Sequence, residues 1–210
     1  MNQTVELVKL WGEYEAKHPG GTLEGFFRYQ LSLSAKKKEE DVPGWQMNPP
    51  RLSGNLMMLL RRISKFHLVY ANKALEGTGL DQMDEFGILR TVYNQVNPIK
   101  SEAIYDNIIE LSSGTNMLIR LKKRGLIDEY EDERDKRVRR LRLTGKGEEA
   151  LKKARAQVHL VADMMLQGLP DEDKQLCLKL LQSIDDRFAE LFPKQKDRPF
   201  EKVFRENLER

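Results

Sequence analysis

Residues 112–123 read SSGTNMLIRLKK and residues 131–143 read EDERDKRVRRLRL. The side chains there that could do chemistry are short hydrogen-bonding groups and cations. They are Ser112, Ser113, Thr115, Asn116, Arg120 and Lys123 in the first stretch, and Arg134, Asp135, Lys136, Arg137 and Arg139 in the second. This is chemistry for recognising a polyanion. Asn can pair bidentately with adenine and Arg with guanine, while Ser and Thr reach bases or phosphates. An arginine at a hairpin tip can enter a narrow minor groove, where the negative potential is enhanced. Lysines and arginines on flanking strands can lie along phosphates. Asp135, two residues before Arg137, is placed to pair with that guanidinium and fix its orientation.

The distribution of charge points the same way. Net charge is only +3 over 210 residues, but residues 132–142 alone carry six basic against three acidic side chains. The remainder of the chain therefore sums to zero, and the excess is a local electrostatic footprint. The bland alternatives are a solvated helix face and a solvated charged hairpin; it is their adjacency that favours recognition.

Enzyme chemistry finds no support. His18, His67 and His159 lie far apart in sequence and none has metal-ligand spacing with cysteines or carboxylates. HPGGT at 18–22 is a helix breaker without the strand context of a phosphate loop. Cys177, the lone cysteine, excludes an internal disulfide and fits a reducing cytoplasm. It falls on an apolar helical stripe with Lys174 and Lys179 as its basic neighbours, which predicts core packing. No metal or cofactor is expected. No apolar run approaches the roughly 18 residues of a membrane span, and the N-terminus has no signal-peptide architecture.

The elements that must position these groups are mostly helical. Val5, Leu7, Val8, Leu10, Trp11 and Tyr14 mark a first helix, and Thr22 caps a second over 23–34. KKKEED followed by VPGWQMNPP reads as an exposed linker. A long helix starts from a Ser53 cap and stops at Gly77. Asp81 caps the next, with Phe86, Leu89, Tyr93 and Val96 inward and Pro98 at its end. A short helix covers 101–110, and another runs from a Ser112 or Ser113 cap to Gly125. Its Gly114, Met117, Leu118 and Leu121 face inward, leaving the polar set outward. LIDEY and VRRLRL then form a β-hairpin, with Leu141 and Leu143 on one face and Arg140 and Arg142 on the other. A helix from Glu148 buries Leu151, Ala154, Val158, Val161 and Met165. The last, from Asp171, carries Cys177, Leu180, Leu181, Ile184, Phe188 and Leu191. The charged residues beyond Pro193 are expected to be loosely held.

Three helices and then a two-stranded hairpin make a winged helix-turn-helix. The segment GTNMLIRLKKRGLIDEYEDERDKRVRRLRLTGKG resembles the multiple antibiotic resistance regulator (MarR) family of bacterial winged-helix transcription factors. The match rests on Leu121, Gly125, Leu126, Ile127, Asp132, Asp135, Arg137, Leu143, Thr144 and Gly147. The resemblance implies a mainly α fold with a small β-hairpin wing and a helical dimerisation domain. It implies a homodimer on a palindromic operator in double-stranded DNA, usually a repressor, released by a small lipophilic or phenolic effector. Recognition-helix contacts would fall on Ser113, Thr115, Asn116 and Arg120, and the wing contact on Arg137 with Asp135 behind it. The domains expected are an N-terminal extension and linker (1–50), a dimerisation region (51–77 and 148–192), a DNA-binding domain (78–147) and a charged tail (193–210). VRRLR beyond the wing arginine is more cationic than the family pattern. The added N-terminal helices, with Trp11, Phe26, Phe27 and Trp45, are expected to pack across the dimer. The competing reading is a winged-helix module whose wing docks an acidic protein partner.

Overall fold

The computed structural model of the chain describes residues 2–36 and 51–208. The linker expected from residue 36 onward, with Trp45, lies outside the described residues except for Lys36, which ends a helix instead. Two compact units divide at residues 61 and 62, inside one helix.

In the first unit, α1 (Gln3–Lys17) begins at Asn2, whose Oδ1 accepts the Thr4 N–H at 3.0 Å. α2 (Leu23–Lys36) begins at Thr22, whose hydroxyl accepts the Gly25 N–H at 3.1 Å, as its sequence suggests. The two helices meet through rings. Trp11 and Phe26 stack edge-on at 5.3 Å between centroids, and Tyr14 packs against Phe26 and His18. Glycine at positions 21 and 25 leaves room for the Tyr14 ring, which a Cβ at either would strike. Of the apolar face expected on α1, only Tyr14 is buried, and Val5, Leu7 and Val8 remain exposed.

α3 (Leu52–Ala74) contains Ser53 within its first turn rather than as its cap. Gly77 follows in the left-handed conformation (φ 76°) and turns the chain away. α4 (Met83–Gln95) also departs from expectation at its start. Asp81 does not cap it; the side chain of Asn72, on α3, accepts the Met83 N–H at 2.9 Å instead. Its buried face is Glu85, Phe86, Ile88, Leu89 and Val92. Tyr93 and Val96 are exposed, and the helix unwinds into Val96 and Asn97, both at positive φ, before Pro98.

α5 (Lys100–Tyr105) and α6 (Leu111–Lys123) follow, then β1 (Ile127–Glu131) and β2 (Arg139–Leu143), an antiparallel pair with Ile127 opposite Leu143 and Glu131 opposite Arg139. α7 (Gly145–Met165) leaves the hairpin three residues earlier than expected. Thr144 makes the junction: its hydroxyl accepts the Gly147 N–H at 3.0 Å and donates to the Gly125 carbonyl at 2.7 Å. One core joins these parts, built on Leu89, Ile104, Leu118, Leu121, Ile127, Leu141, Leu151 and Ala154. Burying each of these leucine and isoleucine side chains stabilises the unit by roughly 1.5–3 kcal/mol, so this core fixes α6 and the hairpin to one frame.

α8 (Asp171–Gln195) runs through Pro193, and α9 (Phe200–Leu208) folds back on it. Arg198 pairs with Glu206, and Arg187 reaches the Asn207 carbonyl at 3.3 Å, so the charged tail is helical rather than loose. Cys177 is exposed, not in the core. The stripe it belongs to is exposed with it: Leu180, Leu181, Ile184 and Phe188 lie open along α8, and only Leu191 is covered. No helix among the described residues is long and apolar enough to cross a membrane.

Candidate nucleic-acid interface

α6 is started by a carboxylate, not by a serine. Glu110 sits at the cap position and accepts the Ser113 N–H at 3.0 Å and the Ser112 hydroxyl. These bonds hold the Glu110 carboxyl down to about 2, with the Ser112 hydroxyl the leading cause. The Ser112 hydroxyl proton is therefore committed to the cap, and Ser113, Thr115 and Asn116 carry the hydrogen-bonding capacity of the first turns. Gly114 faces inward against Ile104, and a Cβ there would run into the isoleucine side chain. That contact, with buried Met117, Leu118 and Leu121, sets the roll of the helix. Ser112, Asn116, Arg120 and Lys123 are consequently exposed and Thr115 is half-buried at the margin, as the sequence projection places them, and Ser113 is exposed as well. Lys122 leans back toward Glu129 at 3.9 Å, whereas no described ion pair engages Arg120 or Lys123.

The wing has fewer free cations than its sequence suggests. Arg142 pairs with Asp128 (3.2 Å) across the hairpin and lies over the Tyr130 ring, and Arg139 pairs with Glu131 (3.2 Å). Arg140 is taken up by Asp132. Arg134, Lys136 and Arg137, all in the loop between the strands, take part in no described ion pair and are exposed. Asp135 does not clamp the Arg137 guanidinium. Its Oδ1 accepts the Arg137 backbone N–H at 2.9 Å, so it shapes the turn and leaves the guanidinium outward.

Helix and wing converge. Thr115 of α6 and Arg137 and Arg139 of the wing line one open hollow of about 280 Å³, together with Lys100, Ser101 and Ile104 of α5. Sequence reasoning missed Lys100 and Ser101, which begin a short helix with no distinguishing pattern. It also missed the role of Arg140, because strand alternation groups it with solvent-facing Arg142. The described residues contain no group of three or more His, Cys, Asp or Glu that could hold a metal ion.

No protein-family model matches the sequence, and no curated protein does. Solved structures do match. A MarR-family transcriptional regulator from Rhodococcus sp. RHA1 superposes with a TM-score of 0.58 at 25% identity, over 64% of this chain and 94% of that one. The fold is that of the MarR-family regulators. CouR from Rhodococcus jostii RHA1, bound to p-coumaroyl-CoA, superposes with a TM-score of 0.56 at 24% identity, over 64% and 94% of the two chains. Mutant MarR from E. coli, complexed with operator DNA, gives 0.57 at 18% identity, over 61% and 92%. These MarR-fold neighbours are matched over nearly their whole length, and about a third of this chain lies beyond the match.

Proposed function

We propose that the chain is a DNA-binding transcriptional regulator of the MarR type, acting in the cytoplasm as a homodimer on a palindromic operator and not as an enzyme. The observation that carries the reading is the shared hollow. Thr115 of a helix with an outward Asn116 and Arg120 lies beside Arg137 of a wing whose loop cations are unpaired. A short polar helix face suits a major groove, and an arginine loop beside it suits the flanking minor groove. The E. coli MarR neighbour is complexed with operator DNA, which supports the assignment.

Dimerisation is supported by what the chain leaves uncovered. α3 exposes Leu56, Leu59, Ile63 and Phe66, and α8 exposes Leu180, Leu181, Ile184 and Phe188. Apolar stripes of this length on two helices of one chain are more than a monomer ordinarily leaves in water. Pairing two copies would place two recognition helices one helical turn apart, roughly 34 Å, as a palindrome requires. Repression released by a small lipophilic or phenolic effector is the regulation proposed. CouR holds p-coumaroyl-CoA, and DNA binding by BpsR of Bordetella bronchiseptica is regulated by 6-hydroxynicotinic acid. Such an effector must prefer one of two conformations, since only differential affinity shifts an equilibrium.

The test combines sedimentation of the purified chain with fluorescence anisotropy on its own upstream DNA at two salt concentrations. A dimer whose affinity falls steeply with salt is expected. A monomer, or no affinity for upstream fragments in dilute buffer, overturns the reading. Binding to an acidic protein in place of DNA would favour a protein-docking wing.

A further inference from the structure

Arg140 joins the wing to a segment outside it through the two ends of its guanidinium. Its Nε donates to Asp132, and its Nη1 donates to the Asn97 carbonyl at 2.8 Å. Each end belongs to a different part of the interface. Asp132 organises the wing loop: its Oδ1 accepts the Arg134 N–H at 2.8 Å and the Asp135 N–H at 3.1 Å, while its own N–H donates to the Val138 carbonyl at 3.0 Å. Asn97 belongs to the turn between α4 and α5, where Val96 (φ 49°) and Asn97 (φ 65°) adopt the left-handed conformation that costs a non-glycine residue free energy. The same turn takes the free edge of β2, with the Leu141 N–H donating to the Pro98 carbonyl at 3.0 Å and Ile99 bridging to Arg140. Arg140 itself is about one-third exposed and Asp132 mostly covered.

We propose that Arg140 is a positioning residue: it locks the Arg134–Arg137 loop to the α4–α5 turn, and so sets where the wing cations stand relative to α6, without contacting the nucleic acid itself. A wing is a two-stranded ribbon, marginal alone; a cross-link at its tip-side end removes its freedom to swing. Only a guanidinium serves. Its planar fork can donate to Asp132 and to the Asn97 carbonyl at once, whereas a lysine ammonium is a point charge with another geometry. The inference rests on the DNA-binding reading for its consequence, but the clamp exists in the free protein and is tested there too.

The experiment uses the full chain with Arg140→Ala, Arg140→Lys and Asp132→Asn. In the free protein, amide hydrogen exchange at Arg134 and Asp135 should quicken by about tenfold or more in all three, with Leu118 and Leu121 of α6 unchanged. On DNA, Arg140→Lys should lose about as much affinity as Arg140→Ala, and Arg137→Ala should cost far less in an Arg140→Ala background than alone. Full affinity in Arg140→Lys would make the residue a phosphate contact and overturn the proposal. Unchanged exchange, or independent effects of the two arginines, would overturn it as well. Should the unmodified chain bind no duplex, the DNA-binding reading falls and the exchange measurement alone decides the clamp.

Discussion

Glu85 is fully buried at the start of α4, and its Oε2 lies 2.6 Å from Nη2 of Arg124, the residue that ends α6. Arg124 also meets Asp81 at 2.9 Å and the Gly79 carbonyl at 3.2 Å, and its own carbonyl accepts Lys146 Nζ at 2.9 Å. One residue thus ties the far end of α6 to α4, to the turn before it, and to the start of α7. The pair is unequal. Glu85 accepts the Asp81 N–H at 2.9 Å and its Oε1 is buried without a hydrogen bond, as are Nε and Nη2 of Arg124, but Arg124 keeps Asp81 and the Gly79 carbonyl on Nη1 and has partial access to water. Removing the arginine therefore strands a fully buried carboxylate, whereas removing the carboxylate leaves Arg124 still paired with Asp81 through Nη1. Arg124→Met is expected to cost about 3 kcal/mol or more in urea denaturation, and Glu85→Leu distinctly less. Equal losses would mean that the two groups are equally dependent on each other, against the geometry.

Gly147 lies where α7 crosses the end of the hairpin, and a Cβ on it would overlap the Leu126 carbonyl oxygen. Backbone cannot swing aside as a side chain can. Gly147→Ala should cost about 1–3 kcal/mol through overpacking. Gly145, two residues earlier and facing open space, is the control. Gly145→Ala is expected to be neutral or to gain up to about 1 kcal/mol, since alanine is the better helix former. A thermal melt separates the two, and a harmless Gly147→Ala would show that the α7 start can shift.

Much of this site is legible in the sequence because its periods are short and undisturbed. Met117, Leu118 and Leu121 fix the roll of α6, and Leu141 with Leu143 fixes the pleat of β2, so the outward residues follow. What the sequence hides are partners from elsewhere in the chain. Ser112 and Ser113 are the residue types a cap prefers, but Glu110 precedes them with a carboxylate long enough to reach both. Alternation assigns Arg140 to solvent, but the α4–α5 turn rises to meet it. The stripe of Cys177 and its neighbours shows a helix with an apolar face and says nothing of what covers it, and Cys177 is exposed.

Two carboxylates at the interface respond to acid in the same direction. Arg140, then the Arg134 and Asp135 amides, hold Asp132 at about 2, and Ser112 and Ser113 hold Glu110 at about 2. Both values lie below the ordinary ones of about 4. A depressed folded value means that the stabilisation is complete above about pH 4 and is lost as pH falls toward 2. Amide exchange at Ser113, Arg134 and Asp135 should quicken over that window, ahead of Leu118 and Leu121 in the core. Asp132→Asn should remove the pH dependence at Arg134 while leaving that at Ser113, because the two carboxylates serve separate loops. Loss of both together would indicate that the whole unit opens in acid.

Contacts to bases and to phosphates leave different signatures, and the placement of Asn116 and Lys123 on α6 separates them. Asn116 lies in the second turn, near the helix end that the cap and the wing bring forward, and Lys123 lies at the last helical position. Asn116→Ala should cost about 1–3 kcal/mol on the preferred site and much less on unrelated DNA, which relaxes specificity without changing the salt slope. Lys123→Ala should weaken all sequences alike and reduce the slope of log affinity against log salt by about one. Arg137→Ala combines the two patterns if its guanidinium enters a minor groove: affinity falls strongly, the slope falls by about one, and the loss is largest where the flanking groove is narrow. Anisotropy titrations with matched and scrambled upstream duplexes resolve the three. If Asn116→Ala instead lost affinity uniformly and Lys123→Ala selectively, α6 would enter the groove by its C-terminal end, reversing the orientation on which the wing's place beside it depends.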